Sequence, residues 1–213
     1  MTDALLLELE GVVVDTEPLW RDALAGTLAE HATPVADDEL QSGKCTPVRE
    51  RIERLLAAHR HTVDETTLDL MVLGATRRFS ALLRRGMTLV PGARDLLEDA
   101  RQRARVAVVT RARRADADVM LSLAGLETLV EFVIAAEDAA PKPSSASYER
   151  ALTRLQRRCV VRRDAVLALE DGESGARAAV GAGLRCIVVC GALAARDLDS
   201  LAESLDRQAE RVG

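Results

Sequence analysis

The chain contains 213 residues, which is enough for one large domain or for one substantial domain with a small insertion. Apolar residues make up 48% and charged residues 30% of the sequence, an ordinary globular balance, and the net charge is −5. Aromatic residues make up only 2%, so the core must be aliphatic and platforms for base stacking are scarce. Together with the acidic net charge, this composition argues against nucleic-acid binding.

The cysteines indicate free thiols rather than a disulfide framework. The four residues Cys45, Cys159, Cys186 and Cys190 form no Cys-x-x-Cys pair. Cys186 and Cys190 fall in one predicted strand, roughly 13 Å apart at the usual rise per residue, which is too far for a bond. The N-terminus lacks a basic leader, and no apolar run approaches the ~20 residues of a membrane helix. We therefore expect a soluble, cytoplasmic protein with no membrane partner.

The first part of the chain predicts one strand followed by helices only. Residues 4–9 are apolar up to a glutamate and predict a strand. Helical patterns then begin at Pro18, at Thr46-Pro47 and at residues 62–65, where Thr62-Val63-Asp64-Glu65 matches a capping box. The predicted helices cover about 18–32, 46–58 and 62–85.

From residue 91 onward the pattern changes to alternating helices and strands. Helices are predicted at 92–103, 113–124, 144–157 and 173–182, and strands at 105–110, 131–135, 165–170 and 185–190. The strands are almost continuously apolar, which is typical of parallel strands covered on both faces. The sequence therefore predicts an α/β core domain from residues 1–16 and 86–213, with an all-helical domain at 17–85 inserted after the first strand.

Several polar side chains follow the predicted strands at the edge where an open parallel sheet binds ligands. They are Glu8 and Glu10 after the first strand, Thr110 after the second, Glu170 and Asp171 after a later one, and Lys142 in the loop "APKPSS". Four acids at one edge would repel one another, and this favours a divalent cation among them. Each residue also has a simpler interpretation: a solvated strand face for the two glutamates, a loop lysine, a strand-end hydroxyl, or acids that cap a helix.

The segments that carry these residues resemble the motifs of the haloacid dehalogenase (HAD) superfamily. "LELEGVVVDTEP" resembles its first motif, Asp-x-Asp-Gly-x-x-x-Asp-Thr/Ser, and "LEDGESGARAAVGAGL" resembles its fourth. Thr110 matches the second motif and Lys142-Pro143 the third. The resemblance covers essentially the whole chain, in the right order, and is greatest to beta-phosphoglucomutase-like and phosphoglycolate phosphatase-like members. It implies a Rossmann-like core with a small helical cap domain.

The resemblance also implies a role for each residue of the site. Glu8 stands at the position of the nucleophile that forms an acyl phosphate, and Glu10 stands at the position of the general acid and base. Thr110 and Lys142 would hold the phosphoryl oxygens. Magnesium (Mg2+) would be bound by Glu8, by the backbone carbonyl of Glu10, and by Asp171, with Glu170 in the same shell.

Both signature aspartates of the first motif are glutamates here. The two side chains share a functional group and nearly the same intrinsic pKa, so nucleophilicity is preserved. The additional methylene moves each carboxylate by roughly an ångström, and a misplacement of that size can cost about a hundredfold in rate. If both costs applied independently, activity would fall about ten-thousandfold.

Other positions depart from the family pattern as well. Ala75 stands where many members carry a cap lysine, and Trp20 stands where mutases carry a histidine. Ala146 replaces the aspartate of the third motif, and Arg111 follows Thr110 where a small polar residue is usual. These changes argue against a sugar-phosphate mutase. Trp20 would either line a cleft beside the cap or pack within it.

Two functional hypotheses follow from the sequence. The first is a magnesium-dependent phosphatase of the HAD type, which acts on a small phosphorylated metabolite through Thr110, Arg111, Lys142 and Trp20. The second is a HAD-fold protein that has lost phosphoryl transfer and acts by binding a ligand or a partner. The particular substrate and the oligomeric state are left open by the sequence.

Overall fold

The computed structural model describes residues 2–41, 43, 46–158 and 160–189. Of the four predicted free thiols, Cys45, Cys159 and Cys190 lie outside the described residues. Cys186 is a half-buried free thiol, and burial raises its pKa to about 12, so that it stays protonated at neutral pH. None of the helices in the described part of the chain combines the length and the apolar character that a membrane crossing requires.

The chain forms two compact units. One unit contains the residues up to Asp15 and those from Thr88 onward, and the other contains Thr16–Met87. The first unit is an α/β unit built on a parallel sheet, and the second consists of helices, with no strand among its described residues. The predicted fold class, an α/β core with an all-helical insertion after the first strand, matches this architecture.

The α/β unit contains seven strands and four α-helices in its described residues. In chain order they are β1 (Ala4–Leu7), β2 (Val14–Asp15), β3 (Thr88–Leu89), α5 (Ala93–Arg103), β4 (Arg105–Val109), α6 (Arg114–Ala124), β5 (Val133–Ile134), α7 (Ala146–Gln156), β6 (Val166–Glu170), α8 (Glu173–Gly181) and β7 (Arg185–Val188). The numbers α1–α4 belong to the helical unit. Short 3-10 turns lie at Glu127–Leu129, Ala136–Asp138 and Arg163–Ala165.

The main sheet has the order β5-β4-β1-β6-β7, and all of its strands are parallel. Strand β1 lies at the centre, where Leu7 is in register with Val108 of β4 and with Leu169 of β6. All four β1 side chains are fully buried. Because alternate strand residues point to opposite faces, both faces of the sheet must be covered, as the continuous apolar pattern predicted.

Two short elements of the first unit differ from the sequence prediction. The first strand ends at Leu7 rather than at residue 9, so Glu8 already belongs to the loop that follows. This loop turns sharply at Gly11, whose positive φ of 77° suits a glycine, and continues into β2. Strand β2 pairs antiparallel with β3, a ladder that the sequence did not predict. Two-residue strands carry too little periodicity to be recognised.

The helical unit contains α1 (Glu17–Glu30), α2 (Asp37–Gln41), α3 (Val48–Ala58) and α4 (Glu65–Leu83). Its core is aliphatic and includes Leu24, Leu28, Ile52 and Met71, all fully buried. Helix α2 was not predicted, since five residues give only one full helical turn. Helices α3 and α4 lie within their predicted segments, whereas α1 begins one residue before its predicted start. Helices α1 and α4 end before the predicted end, and α3 ends at it.

A buried ion pair ties α1 to α3 within the helical unit. The guanidinium of Arg51 donates from Nη1 and Nη2 to the two oxygens of Glu17, at 3.0 and 2.7 Å. Nη2 also donates to the carbonyl oxygen of Leu40 at 2.9 Å, which connects the end of α2 to the same group. The side chain of Arg51 is only 4% exposed, so this bidentate pair is well shielded from water.

Helix α4 is capped differently from the predicted capping box. The N-cap is Asp64 rather than Thr62, and the Asp64 carboxylate accepts a hydrogen bond from the backbone N–H of Thr67 at 2.7 Å. This bond satisfies one of the unpaired donors of the first helical turn. It also lowers the pKa of Asp64 below its ordinary value, because the bond favours the ionised form.

We expect Asp64→Ala to lower the urea midpoint of unfolding at neutral pH, whereas Thr62→Ala should leave it unchanged. A carboxylate with a depressed folded-state pKa stabilises above its unfolded pKa, and this contribution is lost as pH falls through the folded pKa. The difference between Asp64→Ala and the unmodified protein should therefore shrink in acid. A larger effect of Thr62→Ala would show that the capping box forms after all.

Candidate active site

The carboxyl ends of three neighbouring strands bring the candidate residues to one edge of the sheet. Glu8 follows β1, Thr110 follows β4, and Glu170 is the last residue of β6. Because β1 lies between β4 and β6 in register, these three residues must end up next to one another. Lys142 reaches the same edge from the loop between β5 and α7.

The carboxylate of Glu8 is buried and accepts hydrogen bonds on both oxygens. Its Oε1 accepts from the Thr110 hydroxyl and from the backbone N–H of Leu9 at 2.8 Å. Its Oε2 accepts from Lys142 Nζ at 2.8 Å and more weakly from the backbone N–H of Arg111 at 3.4 Å. Burial acts to raise the pKa of Glu8, but Lys142 and Arg111 hold it below the ordinary value. Glu8 is therefore ionised despite being only 1% exposed.

Lys142 binds two carboxylates at once. Its Nζ donates to Glu8 Oε2 at 2.8 Å, to Glu170 Oε1 at 2.5 Å and to the Val109 carbonyl oxygen at 2.9 Å. These bonds use all three donors of an ammonium group. Burial acts to lower the pKa of Lys142, and the two glutamates more than reverse this, so the side chain stays charged.

Glu170 also pairs with Lys142, but its negative charge is less well neutralised than that of Glu8. Its Oε1 accepts from Lys142 and from the hydroxyl of Tyr148, whereas its Oε2 is buried with no hydrogen-bond partner among the described residues. Burial, together with the nearby charge of Glu8, raises the pKa of Glu170 to about 7 in spite of Lys142. One cation between two carboxylates favours ionisation of the better hydrogen-bonded one, which is Glu8.

A glycine on α8 makes room for the Glu170 carboxylate. A Cβ at Gly175 would overlap Oε2 and the carboxyl carbon of Glu170. The side chain of Glu170 is fully buried and is held on its other oxygen, so it has little freedom to move away. The Glu170 carboxylate therefore fits in this position only because residue 175 is a glycine.

Arg111 and Asp171 lie at the rim of the cluster. Arg111 Nη2 is 3.7 Å from Asp171 Oδ2, and their side chains are 24% and 9% exposed. Burial acts to lower the pKa of Arg111, but the acids around it, Glu8 first and then Asp171, raise it above the ordinary value. Gly11 approaches Asp171 so closely that a Cβ there would come within 2.8 Å of the Asp171 Cβ.

The structure thus brings most of the predicted residues together. Glu8, Thr110, Lys142 and Glu170 form one hydrogen-bonded cluster, hereafter the Glu8 cluster. Glu10 is half-exposed beside it, and its backbone N–H lies 3.4 Å from Glu8 Oε1. The simpler interpretations of Lys142 as a solvated lysine and of Glu8 as part of a solvated strand face are wrong, since both side chains are buried.

The sequence prediction gave Trp20 a role in substrate binding and did not identify Tyr148. Trp20, a predicted substrate contact, belongs to the helical unit, where its ring stacks on Phe79 with 4.0 Å between centroids and 9° between planes. Tyr148 was not identified, because it falls in the apolar pattern of α7. Its only distinguishing signal is that it is the one tyrosine of the chain and lies six residues after Lys142.

Three of the acids that the motifs assign to a magnesium site pair with side-chain cations in this structure. Among the residues that the structure describes, no three His, Cys, Asp or Glu side chains converge to hold a metal ion. Glu8 and Glu170 are turned to Lys142, and Asp171 is turned to Arg111. Mg2+ is usually held by one or two carboxylates with waters completing its near-octahedral shell, and the oxygen donors of Glu8, of Asp171 and of the Glu10 backbone carbonyl fit that chemistry.

The chain belongs to the haloacid dehalogenase-like hydrolase family, whose model matches residues 2–183. It is 34% identical to protein CbbY of Cereibacter sphaeroides, over 95% of this chain and 94% of that protein. It is 28% identical to validoxylamine A 7'-phosphate phosphatase of Streptomyces hygroscopicus subsp. limoneus, over 96% of this chain and 92% of that protein. The family predicted from the four motifs is therefore confirmed.

Solved structures confirm the fold class as well. The crystal structure of CbbY from Rhodobacter sphaeroides in complex with phosphate is 31% identical, with a TM-score of 0.69 over 95% of this chain and 96% of that one. A mutant of CbbY in complex with xylulose-(1,5)bisphosphate is 32% identical, with a TM-score of 0.70 over the same shares. Beta-phosphoglucomutase from Clostridium difficile, at 16% identity, shares the fold with a TM-score of 0.75 over 98% and 99% of the two chains.

We expect Gly175→Ala to destabilise the α/β unit by roughly 1–3 kcal/mol, because the new methyl group displaces the buried Glu170 carboxylate. Gly181→Ala is the matched control on the same helix: its Cβ would meet only Ser145 Cβ at 3.5 Å, an ordinary contact. It should be neutral or stabilise by up to about 1 kcal/mol, as alanine does in helices. Urea unfolding measures both changes. Adding Glu170→Asp should recover part of the loss in Gly175→Ala, and no recovery would contradict the assigned clash.

We expect Lys142→Met to lower the free energy of unfolding by about 3–5 kcal/mol, because it leaves two buried carboxylates without their cation. Arg177→Met, at a side chain that is 69% exposed, removes the same charge and should change stability by less than about 0.5 kcal/mol. Equal effects of the two substitutions would show that Lys142 does not hold the Glu8 cluster together.

Proposed function

We propose that this chain is a phosphoric monoester hydrolase that acts on a small phosphorylated metabolite. The observation that carries the proposal is the Glu8 cluster, in which a buried, ionised carboxylate lies between a hydroxyl and an ammonium group at the strand ends. The names of the relatives support it: one is a validoxylamine phosphate phosphatase, and another is a phosphorylated carbohydrates phosphatase of Thermotoga maritima, 27% identical. A phosphorylated carbohydrate is the substrate class that these names favour.

Glu8 has the properties of a carboxylate nucleophile. Lys142 and Arg111 keep its pKa low, so the nucleophilic form is present at neutral pH. Attack of a Glu8 oxygen on phosphorus would form a glutamyl phosphate and release the alcohol of the substrate. Glu10 would donate a proton to the leaving oxygen and then take one from the water that hydrolyses the intermediate.

The environment of Glu8 also predicts slow turnover. Both of its oxygens already accept hydrogen bonds, and the side chain is 1% exposed. One of these bonds must be exchanged before the oxygen can reach phosphorus. The additional methylene of each glutamate adds a misplacement that can cost about a hundredfold. We therefore propose a phosphatase of reduced activity.

The same observation favours one alternative, a protein of this family that binds its ligand without turning it over. Both oxygens of the Glu8 carboxylate already accept hydrogen bonds from Thr110 and Lys142. Glu8 is therefore as well suited to holding these two residues in place as to attacking a phosphate. Magnesium, which the motifs imply, would be held by Glu8, by the backbone carbonyl of Glu10 and by Asp171, and it would offset the charge of the phosphate.

An assay of aryl phosphate hydrolysis tests the proposal. The rate of phenol release is measured once in the presence of magnesium and once in the presence of a chelator. We expect slow turnover by the unmodified protein and none by Glu8→Gln, which keeps the shape but removes the nucleophilic charge. Glu8→Asp with Glu10→Asp should increase the rate, by up to about ten-thousandfold if the two misplacements act independently.

Glu98→Asp is the control, because it removes one methylene from a surface glutamate on α5 whose side chain is 51% exposed. It should leave the turnover rate unchanged. Turnover only after the two aspartates are introduced would favour the binding protein. Equal turnover by Glu8→Gln and the unmodified protein would remove Glu8 from the reaction.

A further inference from the structure

A buried tyrosine that the proposed reaction does not use contacts both members of the ion pair between Lys142 and Glu170. Tyr148 lies in the first turn of α7 and is fully buried. Its hydroxyl donates to Glu170 Oε1, the same oxygen that accepts from Lys142 Nζ at 2.5 Å. Lys142 Nζ also lies 5.4 Å from the centroid of the Tyr148 ring, a distance at which an ammonium group and an aromatic face attract each other.

The Tyr148 hydroxyl serves this oxygen as a permanent donor. Burial, together with the charge of Glu170, raises the pKa of Tyr148 well above its ordinary value, so the phenol stays protonated. Glu170 Oε2 has no hydrogen-bond partner among the described residues, so Oε1 carries the described hydrogen bonds of this carboxylate. Without the phenol hydroxyl, Lys142 would be the one described donor left to Glu170.

Lys142 is divided between Glu170 and the proposed nucleophile. Its Nζ also donates to Glu8 Oε2 at 2.8 Å and to the Val109 carbonyl oxygen at 2.9 Å, so its three donors are all in use. The position of the ammonium group therefore depends on how strongly each carboxylate attracts it. A hydroxyl that stabilises the Glu170 carboxylate weakens this attraction, and loss of the hydroxyl would draw Lys142 toward Glu170 and away from Glu8.

We propose that Tyr148 is a positioning residue for Lys142. Its hydroxyl satisfies Glu170, and the ammonium group therefore stays beside Glu8, where the proposed reaction needs it to hold a phosphoryl oxygen. The hydroxyl takes no part in the transfer itself, since its hydrogen bond goes to Glu170. The inference rests on the proposed function in one respect, namely that Lys142 belongs to a phosphate site.

Phosphate binding by the whole protein, followed by NMR with ¹⁵N-labelled lysine, tests the inference. The chain has two lysines, Lys44 and Lys142, so Lys44→Arg identifies the ammonium signal of Lys142. Inorganic phosphate, added in the presence of magnesium, should shift this signal in the unmodified protein. Tyr148→Phe keeps the ring and removes the hydroxyl. We expect it to move the Lys142 signal before phosphate is added, and to weaken phosphate binding about tenfold, the value of one hydrogen bond to a charged group.

Two further variants distinguish this role from a general loss of packing. Ser147→Ala removes a buried hydroxyl from the neighbouring position of α7, and that hydroxyl has no hydrogen-bond partner among the described residues, so the Lys142 signal and the affinity should not change. Glu170→Gln removes the charge through which Tyr148 acts. In this background, Tyr148→Phe should change the affinity by less than about twofold.

Thermal unfolding shows whether each variant is folded. The comparison of Glu170→Gln with and without Tyr148→Phe tests the inference if Tyr148→Phe alone does not fold, because the neutral amide leaves no buried charge without a donor. An effect of the hydroxyl that passes through Glu170 must disappear there, whereas an effect of packing must persist.

Four results would overturn the inference: a Lys142 signal that does not respond to phosphate, an unchanged signal and affinity in Tyr148→Phe, the same loss in Ser147→Ala, or the same loss from Tyr148→Phe with and without Glu170→Gln. The proposed function fails separately. Weaker phosphate binding by Tyr148→Phe, in a protein that does not hydrolyse aryl phosphate, would keep the role of Tyr148 and remove the hydrolase. Turnover that stops in Glu8→Gln and is unchanged in Tyr148→Phe would keep the hydrolase and remove the role of Tyr148.

Discussion

The ammonium group of Lys142 is the contact on which the candidate site depends. It joins the end of β1 through Glu8, the end of β6 through Glu170 and the end of β4 through the Val109 carbonyl oxygen. Its side chain is 2% exposed, so the two carboxylates beside it cannot exchange it for water. Buried charges persist only when they are paired, and this one cation sets the position of both acids.

The cluster explains why two similar glutamates behave differently. Glu8 receives donors on both oxygens and keeps a lowered pKa, whereas the pKa of Glu170 rises to about 7, with one oxygen buried against Gly175 and unbonded. A carboxylate that stays ionised in the interior is suited to nucleophilic attack or to anchoring its neighbours. The internal cations therefore shape this site as much as its acids do.

Sequence patterns located the large elements, because each carried enough periodic apolar residues to be recognised. The central strands and the helices of both units lie within one to a few residues of their predicted bounds. The pairing of β2 with β3 and the single-turn helix α2 were missed, since two to five residues define no period. The cap of α4 was placed on Thr62 rather than on Asp64, because both residues suit an N-cap and only the backbone path distinguishes them.

The sequence alone determined the family, the parallel α/β core and the residues at the strand ends, because strand order in such sheets brings carboxyl ends to one edge. Only the tertiary structure decided how these residues pair. Lys142 pairs with two glutamates, Arg111 pairs with Asp171, and the Tyr148 hydroxyl donates to Glu170 from α7, a helix for which the sequence predicted no functional residue. The reason is geometric: a linear pattern shows which groups meet at an edge, whereas the direction of each side chain depends on the charges and the space around it.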